Sequence, residues 1–329
     1  MGKIAFVFAG QGAQYTGMGR ELYESSPAAR AVYELCDRIR PGTSDLCFTG
    51  DKAALSVTEN TQPAMFATDL ACAQALRERG VQPAMAAGFS LGEVAAAAFT
   101  EMLCTEDAFR LVVRRGALMQ ACAEKHSGSM AAVLRLPNEK VEALCASFAH
   151  VYPVNYNCAG QLTVAGDSDE MPAFIKAVAE NGGRAVPLAV SGAFHSPFMA
   201  EASDGLGEYL ADVNPREPSI PLYANLTAQP YAGDLRGLLA AQVKSPVRWE
   251  ETVRNMAAAG ADFFCEVGPG KVLSGLIRRI LPEAQASVHE LALRRGDAVI
   301  LMTDGLFDAL GTELFAALIE RVGGANTVD

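Results

Sequence analysis

Three short apolar runs stand out along the chain, at residues 4–8, 84–89 and 263–267. Each run leads through a glycine into a stretch whose composition is helical. Continuous apolar runs of this length are typical of strands that helices cover on both faces, as in a parallel sheet. Helices are predicted over residues 63–80, 93–104 and 106–122. The pattern therefore predicts an α/β body built on a parallel sheet.

The interval from residue 127 to residue 192 has a different pattern. Strands are predicted at 129–136, 151–158, 161–167 and 184–190, and helices at 137–149 and 168–183. The second helix is expected to be capped by Ser168 or Asp169. The order β-α-β-β-α-β is that of the ferredoxin-like motif. We therefore expect a ferredoxin-like small domain at 127–192, inserted into a catalytic domain formed by 1–126 and 193–290, with 291–329 as a C-terminal segment of unclear role.

Composition and charge narrow the functional classes. Of 329 residues, 50% are hydrophobic and 20% are charged, which indicates a folded globular chain. The chain has 27 basic and 38 acidic residues, and its net charge is −11. An overall basic nucleic-acid binder is therefore excluded. No uncharged apolar run approaches the roughly 20 residues of a membrane-spanning helix, and the N-terminal run is too short for a secretory signal. The eight cysteines have no zinc-type spacing and are expected to be reduced core thiols, which favours a cytoplasmic location.

The most informative motif is Gly-Phe-Ser-Leu-Gly at residues 88–92, at a predicted strand-to-helix junction. In a G-x-S-x-G motif the glycines allow a sharp turn that exposes the serine hydroxyl. The positive end of the following helix dipole would point at that hydroxyl. This context favours Ser90 as a nucleophile over an ordinary turn serine.

A serine nucleophile needs a base, and the chain has four histidines. His126, His150 and His289 lie in surface or boundary contexts. His195 differs because it follows the last predicted strand of the small domain and is surrounded by small residues that leave access. We therefore expect His195 to be the general base.

Four stretches together carry a family resemblance. They are Phe-Ala-Gly-Gln-Gly-Ala-Gln at 8–14, Gly-Phe-Ser-Leu-Gly-Glu at 88–93, Gly-Ala-Phe-His at 192–195 and Glu-Val-Gly-Pro-Gly at 266–270. Over about residues 3–285 the chain resembles the malonyl-CoA:acyl-carrier-protein transacylases. The resemblance implies an α/β-hydrolase-like body with a ferredoxin-like insert. It also implies malonyl transfer from malonyl-CoA to holo acyl carrier protein for fatty-acid synthesis. The enzyme would need no cofactor and is expected to be a monomer.

The same resemblance assigns roles to individual residues. Ser90 would be the nucleophile and His195 its base, while the backbone N–H groups of Gln11 and Leu91 would form the oxyanion hole. The main-chain carbonyl of Gln242 would orient the histidine.

Substrate-binding roles follow from the resemblance as well. Arg115 would grip the malonyl carboxylate, since a planar guanidinium suits a bidentate contact, and Gly116 beside it is expected to let the substrate approach. Phe194 would crowd an α-methyl group and so disfavour methylmalonyl. Asn157 and Gln62 are possible further residues of the site.

One departure and several alternatives stay open. The family usually has histidine before the nucleophile, whereas this chain has Phe89. An acyltransferase that serves a polyketide synthase would share the same chemistry. A serine hydrolase would need a carboxylate between serine and histidine, and Asp167 and Asp169 lie in that interval. A carrier-binding module without catalysis is a third class.

Two glycine pairs and the tail resemble motifs of other functional classes. Gly10 and Gly12 lack the third glycine of a dinucleotide loop, and Gly-Pro-Gly-Lys at 268–271 is not followed by Ser or Thr, so no nucleotide site is expected. Residues 291–307 resemble a fragment of a metal-dependent protein phosphatase. None of the other phosphatase motifs is present, so a strand and helix that only cap the domain are favoured, and no metal site is expected.

Overall fold

The computed structural model of the chain describes residues 3–190, 192–282, 286–288 and 301–303. The helices are α1 (Arg20–Ser25), α2 (Pro27–Ile39), α3 (Thr43–Thr49), α4 (Thr58–Glu78), α5 (Gly92–Phe99), α6 (Thr105–Lys125), α7 (Asn138–Cys145), α8 (Met171–Glu180), α9 (Ala200–Leu210), α10 (Leu235–Ala241), α11 (Trp249–Ala258) and α12 (Val272–Ile280). The strands are β1 (Lys3–Phe8), β2 (Met85–Gly88), β3 (Gly128–Leu134), β4 (Val151–Cys158), β5 (Gln161–Asp167), β6 (Arg184–Pro187), β7 (Leu222–Tyr223), β8 (Ala261–Val267), β9 (Ala286–Val288) and β10 (Leu301–Thr303).

The larger sheet has the strand order β7-β2-β1-β8-β10-β9. Strands β7, β2, β1 and β8 are parallel, and β10 and β9 extend the edge in antiparallel pairing. Alternate residues of β1 pack into two separate cores, Phe6 and Phe8 in one and Ala5 and Val7 in the other. This packing on both faces explains why residues 4–8 of the strand are all apolar. The predicted parallel α/β body is confirmed.

A second, four-stranded sheet has the order β4-β5-β3-β6, with every pair antiparallel. It has a core of its own, to which α7 contributes Val141 and Cys145 and α8 contributes Phe174 and Val178. The predicted ferredoxin-like fold of this part is confirmed. The exact domain boundaries stay a prediction, and most of the tail from residue 291 lies outside the described residues.

Helix α4 begins at Thr58, five residues before the predicted start at 63. A helix that began at 63 would hold Pro63 in its first turn, where the missing N–H of proline costs nothing. In the structure Pro63 lies inside the helix and is buried. Packing of α4 among its neighbours outweighs the lost helical hydrogen bond, which local sequence rules do not anticipate.

The expected cap of α8 is wrong. The helix begins at Met171, and the residue before it, Glu170, makes no side-chain cap. The backbone N–H of Asp169 instead donates to Asp167 Oδ1 at 2.7 Å, and Glu170 accepts from the backbone N–H of His150 at 3.1 Å. These side chains stabilise the turn rather than the helix.

The expectation of core thiols holds for six cysteines but not for all eight. All eight are free, Cys72 is half-buried and Cys104 is exposed. Cys104 is the N-cap of α6, where its Sγ accepts the backbone N–H of Asp107 at 3.3 Å. A capping role explains why this thiol lies at the surface.

Candidate active site

Ser90 lies in a sharp turn between β2 and α5. Its φ is +54°, in the left-handed region that residues other than glycine rarely adopt. A side chain on Gly92 would meet the carbonyl oxygens of Phe8 and Ala9 at 2.4 and 2.5 Å, so only glycine lets the turn lie against β1. The motif at residues 88–92 therefore has the strand-turn-helix context that the sequence predicted.

Ser90 and His195 are in direct contact. Ser90 Oγ lies 2.7 Å from Nε2 of His195. On the other side of the ring, Nδ1 lies 3.0 Å from the carbonyl oxygen of Gln242 and 3.2 Å from that of Ser245. Because carbonyl oxygens only accept, Nδ1 carries the proton and Nε2 is left to accept the serine O–H.

The surroundings of His195 keep its ring neutral. Burial lowers the pKa of His195 to about 4, and the nearby positive charge of Arg115 acts in the same direction. Hydrogen bonds to the two backbone carbonyls oppose this shift. A neutral imidazole at pH 7 is the form that can take a proton from a serine.

Arg115 reaches the serine from α6. Its Nη2 donates to Ser90 Oγ at 3.1 Å and to Gln242 Oε1 at 2.8 Å, while Nη1 donates to Gln62 Oε1 at 2.7 Å. Burial lowers the pKa of Arg115 to about 10, against the opposing charge of Glu93. The guanidinium is thus charged at neutral pH, although only 2% of the Arg115 residue is exposed. Arg114, the preceding residue on the helix, is exposed.

Gly116 lies where α6 packs against α4, and its part in substrate access stays a prediction. A side chain at Gly116 would lie 3.1 Å from Cα of Glu59 and 3.3 Å from the carbonyl oxygen of Thr58. The missing side chain lets α6 approach α4 closely. This approach brings Arg115 and Gln62 within hydrogen-bonding distance.

The two proposed oxyanion donors follow adjacent strands. Gln11 comes after β1 and Leu91 after β2, and a side chain on Gly10 would lie 2.8 Å from the carbonyl oxygen of Phe89. Within the described parts of the chain, neither backbone N–H donates a hydrogen bond to a protein group. Leu91 is also the N-cap of α5, where the helix dipole is positive. The side-chain Nε2 of Gln11 donates weakly to Thr58 Oγ1 at 3.4 Å.

The remaining predicted residues occupy different surroundings. Phe194 is buried in the large core, beside His195 in the chain. Asn157 donates from Nδ2 to Thr163 Oγ1 at 3.1 Å, a contact that joins two strands of the small sheet. Nothing described links Asn157 to Ser90.

Phe89, which stands where the family has histidine, is a packing residue. Its ring meets that of Trp249 edge-on, with centroids 5.5 Å apart, and it packs against the second core. Phe194 belongs to the opposite core. The side chain of Phe89 therefore makes an apolar contact that an imidazole would make less well.

The other histidines and acids lie elsewhere. His126 and His150 pair with Glu201 and Glu170 at the surface, at 3.5 and 3.1 Å, and His289 lies outside the described residues. The carbonyls of Gln242 and Ser245 occupy the position that Asp167 or Asp169 would take in a Ser-His-Asp hydrolase.

Sequence reasoning missed three residues of the site. Asn225 accepts the backbone N–H of Ser90 on its Oδ1 at 2.7 Å. Glu93 accepts from the backbone N–H of Asn225 at 2.7 Å and from the hydroxyl of Tyr231. A signal existed for Glu93, because an acidic residue opens an otherwise apolar, alanine-rich helix. For Asn225 and Tyr231 the sequence contains none.

Two kinds of feature are absent from the described part of the chain. Among residues 3–190 and 192–282, no group of three or more His, Cys, Asp or Glu side chains is arranged to hold a metal ion. No helix in the described part is long and apolar enough to cross a membrane.

Comparison with known proteins identifies the family. The model of the acyl transferase domain matches residues 5–295. The chain belongs to the acyl transferase family. It is 37% identical over 288 residues to a malonyl CoA-acyl carrier protein transacylase of Bacillus subtilis, covering 85% of this chain and 91% of the relative. A Staphylococcus aureus protein with the same description is 35% identical, covering 85% and 93%.

Solved structures of the family agree in fold. A malonyl CoA-acyl carrier protein transacylase from Clostridium perfringens superposes with a TM-score of 0.82 at 33% identity, covering 84% of this chain and 90% of that one. A malonyl-transacylase in complex with a type II polyketide synthase acyl-carrier protein also superposes with a TM-score of 0.82 at 33% identity, covering 85% and 93%. The α/β-hydrolase-like fold and the resemblance inferred from sequence are confirmed.

Proposed function

We propose that this acyl transferase moves a malonyl group from malonyl-CoA to the phosphopantetheine thiol of holo acyl carrier protein, through a malonyl ester on Ser90. One observation carries the proposal. Ser90 Oγ lies 2.7 Å from a neutral histidine and 3.1 Å from a buried guanidinium. A nucleophile beside a buried cation suits an acyl group that carries a second, negative carboxylate. The printed names of the relatives support the same substrates.

In the first half-reaction His195 Nε2 takes the proton of Ser90 as Oγ attacks the thioester carbonyl. The tetrahedral intermediate collapses, the C–S bond breaks, and the proton passes from His195 to the CoA thiolate. The carbonyl of Gln242 holds the imidazole in the required tautomer. In this role a neutral carbonyl takes the place of the carboxylate of a Ser-His-Asp triad.

In the second half-reaction the carrier thiol gives its proton to His195 and attacks the ester carbonyl of malonyl-Ser90. The ester C–O bond breaks and Ser90 Oγ recovers the proton. The reaction exchanges one thioester for another and is nearly thermoneutral, so the enzyme's main tasks are to stabilise the oxyanion and to exclude water. A covalent intermediate of this kind predicts ping-pong kinetics.

The backbone N–H groups of Gln11 and Leu91 are proposed to bind the oxyanion. Both lie on loops at the same edge of the sheet as Ser90, and neither is engaged with another described group. Loss of one such donor typically costs about 3–4 kcal/mol of transition-state stabilisation.

Acyl selectivity is proposed to depend on Arg115 and Phe194. Gln62 and Gln242 hold the guanidinium through their side-chain oxygens, and a malonyl carboxylate would add a charged partner. An acetyl group offers no carboxylate and would gain nothing from the buried cation. Phe194 is proposed to crowd an α-methyl group. Asn157 stays a possible site residue without a described contact to the others.

The carrier is proposed to be that of fatty-acid synthesis. A polyketide carrier is the alternative, supported by similarity to a salinomycin synthase acyltransferase domain with a TM-score of 0.81 at 33% identity. Transfer assays with both carriers separate the two. The hydrolase alternative loses support because the partners of His195 Nδ1 are carbonyls rather than a carboxylate.

We also propose a cytoplasmic monomer that binds neither nucleic acid nor membrane. Free thiols at all eight cysteines support a reducing location. The large apolar side chains exposed in the described part are few, namely Tyr15, Val57, Leu188 and Val272. Obligate dimers usually bury larger apolar surfaces. Light scattering of the full chain tests the monomer.

The deciding experiment is intact-protein mass spectrometry after mixing with malonyl-CoA. We expect a malonyl adduct on Ser90 that disappears when holo carrier is added. Ser90→Ala should form no adduct, and His195→Ala should lower transfer by at least ~10²-fold. Steady release of malonate without carrier would instead indicate a hydrolase.

Arg114 and Arg115 provide a matched pair for substrate choice. Arg115→Ala should lose most malonyl transfer and gain acetyl transfer relative to it, whereas Arg114→Ala should stay near wild type, since its side chain is exposed. Equal losses in both variants, or acetyl-CoA rivalling malonyl-CoA in the wild type, would contradict the role given to Arg115.

A further inference from the structure

The backbone conformation of Ser90 needs an explanation. Its φ of +54° is one that costs a residue with a side chain on the order of 1–2 kcal/mol. Such a conformation persists only where its surroundings hold it in place. The groups that hold Ser90 are therefore part of how the nucleophile is presented.

Asn225 contacts both ends of this turn. Its Oδ1 accepts the backbone N–H of Ser90 at 2.7 Å, and its Nδ2 donates to the carbonyl oxygen of Gly88 at 2.6 Å. On the opposite side of the Ser90 peptide, Gln242 Nε2 donates to the Ser90 carbonyl oxygen at 2.7 Å. The Asn225 side chain thus bridges Gly88 and Ser90, the two residues that flank Phe89.

Asn225 is itself held by the helix that follows the turn. Its backbone N–H donates to Glu93 Oε2 at 2.7 Å, and Glu93 Oε1 accepts the hydroxyl of Tyr231. All three residues are buried. Because Glu93 lies three positions after Ser90, the contacts form a closed ring from Ser90 to Asn225, to Glu93 and back along the chain.

We propose that Asn225, supported by Glu93 and Tyr231, is a positioning residue that holds the Ser90 peptide in its left-handed conformation and so keeps Oγ in line with His195. We call these three residues the elbow clamp. The inference rests on the proposed function, in which Ser90 is the nucleophile. It adds residues that neither touch the acyl group nor take the proton of Ser90.

The electrostatics of the clamp agree with its geometry. Burial raises the pKa of Glu93 to about 7, while hydrogen bonds from Tyr231, Asn225 and Gln242 and the charge of Arg115 pull it down. Arg115 and Tyr231 are the ionisable groups that act on this carboxyl. The ionised form accepts both donors of the clamp. Protonation adds an O–H where an acceptor is needed and weakens the ring.

The main test measures how fast Ser90 reacts with a fluorophosphonate, which phosphonylates an activated serine and releases fluoride. This probe needs no malonyl group, so it reports on the nucleophile alone. Asn225→Leu has similar volume but cannot form either hydrogen bond. We expect its labelling rate to fall on the order of 10²-fold, the typical cost of misplacing a reacting group by about 1 Å.

A matched control separates positioning from general loosening. Asn255 donates from Nδ2 to the carbonyl oxygen of Ala228 at 2.8 Å and so supports the same loop without touching Ser90. Asn255→Leu should lower the melting temperature but leave the labelling rate within about twofold of wild type. Equal losses of rate in both variants would overturn the clamp, because loosening the loop would then suffice.

Glu93→Gln gives an independent readout that also serves if Asn225→Leu fails to fold. Wild-type labelling should decline as the pH falls through about 7, where Glu93 becomes protonated. Glu93→Gln should label slowly at pH 8 and lose this step, keeping only the decline from His195 near pH 4. An unchanged step near pH 7 in Glu93→Gln would exclude Glu93 from the clamp.

Failure of the clamp and failure of the proposed function are distinguishable. If the wild type reacts with the fluorophosphonate but not with malonyl-CoA, the proposed substrate is wrong, and the variants still decide the clamp by their labelling rates. If the wild type forms the malonyl adduct and Asn225→Leu labels as fast as wild type, the function stands and the clamp is wrong.

Discussion

Two carboxyl groups buried beside the large sheet have opposite surroundings. Glu93, under the nucleophile turn, accepts hydrogen bonds from Asn225 and Tyr231. Asp69, on α4, has no hydrogen-bond partner for either oxygen among the described residues. It lies directly against the turn that follows β8, where a side chain on Gly268 would meet its Oδ1 at 2.0 Å.

Burial raises the pKa of both groups, but only Glu93 has partners that lower it again. Four partners oppose the shift of Glu93, which ends at about 7. For Asp69 the neighbouring charge of Glu266 adds to burial, and the pKa lies well above its ordinary value. Glu93 can thus be ionised near neutral pH, whereas nothing described opposes the upward shift of the Asp69 pKa. Hydrogen-bond and charge partners, more than depth of burial, therefore decide whether a buried carboxyl is charged.

Removing Glu93, the carboxyl with hydrogen-bond partners, should change stability most. Glu93→Leu should lower the free energy of unfolding at pH 8 by about 3–5 kcal/mol, the typical cost of leaving a buried charge uncompensated. Arg115 would then lack the carboxylate whose charge favours its protonated form. Urea unfolding measures the loss. A loss below about 1 kcal/mol would show that the charge of Glu93 and its partners do not stabilise the fold.

The next effect concerns the orphaned carboxyl and depends on pH. Asp69 has a raised pKa in the folded state, so its contribution to stability is fully present below its unfolded pKa of about 3.9. Between that value and the raised pKa of the folded state, folding holds a proton that the unfolded chain releases, and stability falls by about 1.4 kcal/mol per pH unit. Asp69→Asn abolishes this term. Its free energy of unfolding relative to wild type should therefore rise with pH.

Unfolding of Asp69→Asn and wild type at pH 5, 6 and 7 tests this slope. Asp212→Asn, which changes an exposed aspartate, is the control and should show no such trend. A constant difference between Asp69→Asn and wild type would show that Asp69 ionises normally when folded.

Replacing Arg115 should change pKa values around Glu93 but not that of Asp69. The charge of Arg115 lowers the pKa of both His195 and Glu93. In Arg115→Met the pKa of His195 should rise from about 4 toward its ordinary value of about 6.5. NMR titration of the four imidazoles measures it. Arg114→Met and Asp69→Asn should leave the His195 titration unmoved, and an equal shift in Arg114→Met would contradict the assignment.

The smallest effect is expected from Tyr231→Phe, which deletes a single donor to Glu93. Loss of one hydrogen bond to a buried group should cost about 1–2 kcal/mol of unfolding free energy. Since this bond lowers the pKa of Glu93, the acid step in Ser90 labelling should move to higher pH. A step that stays in place would show that Tyr231 does not act on Glu93.

Several elements could be predicted from sequence because their signals are local. Strands β4 and β5 have the predicted bounds, since alternating and apolar runs between turn residues need no distant information. The start of α4 could not be predicted, because packing around Pro63 overrides a local rule. The surface position of Cys104 was missed for a related reason, since its cap contact depends on where α6 begins.

The candidate site divides in the same way. The turn around Ser90 and the choice of His195 could be predicted from sequence, because glycine spacing and small neighbours are features of contiguous residues. The family resemblance, which also rests on contiguous motifs, pointed to Arg115 and Gln242 without placing them.

The side chains that meet Ser90 are brought together by the packing of distant parts of the chain. Asn225 lies 135 positions from it in the chain, and Gln242 lies 152 positions away. Their contacts exist because separate strands and helices end at one edge of the large sheet, at angles and distances set by packing. Hydrogen bonds tolerate errors of only a few tenths of an ångström. Such alignment is a property of the packed molecule, and a linear pattern of residue types carries no trace of it.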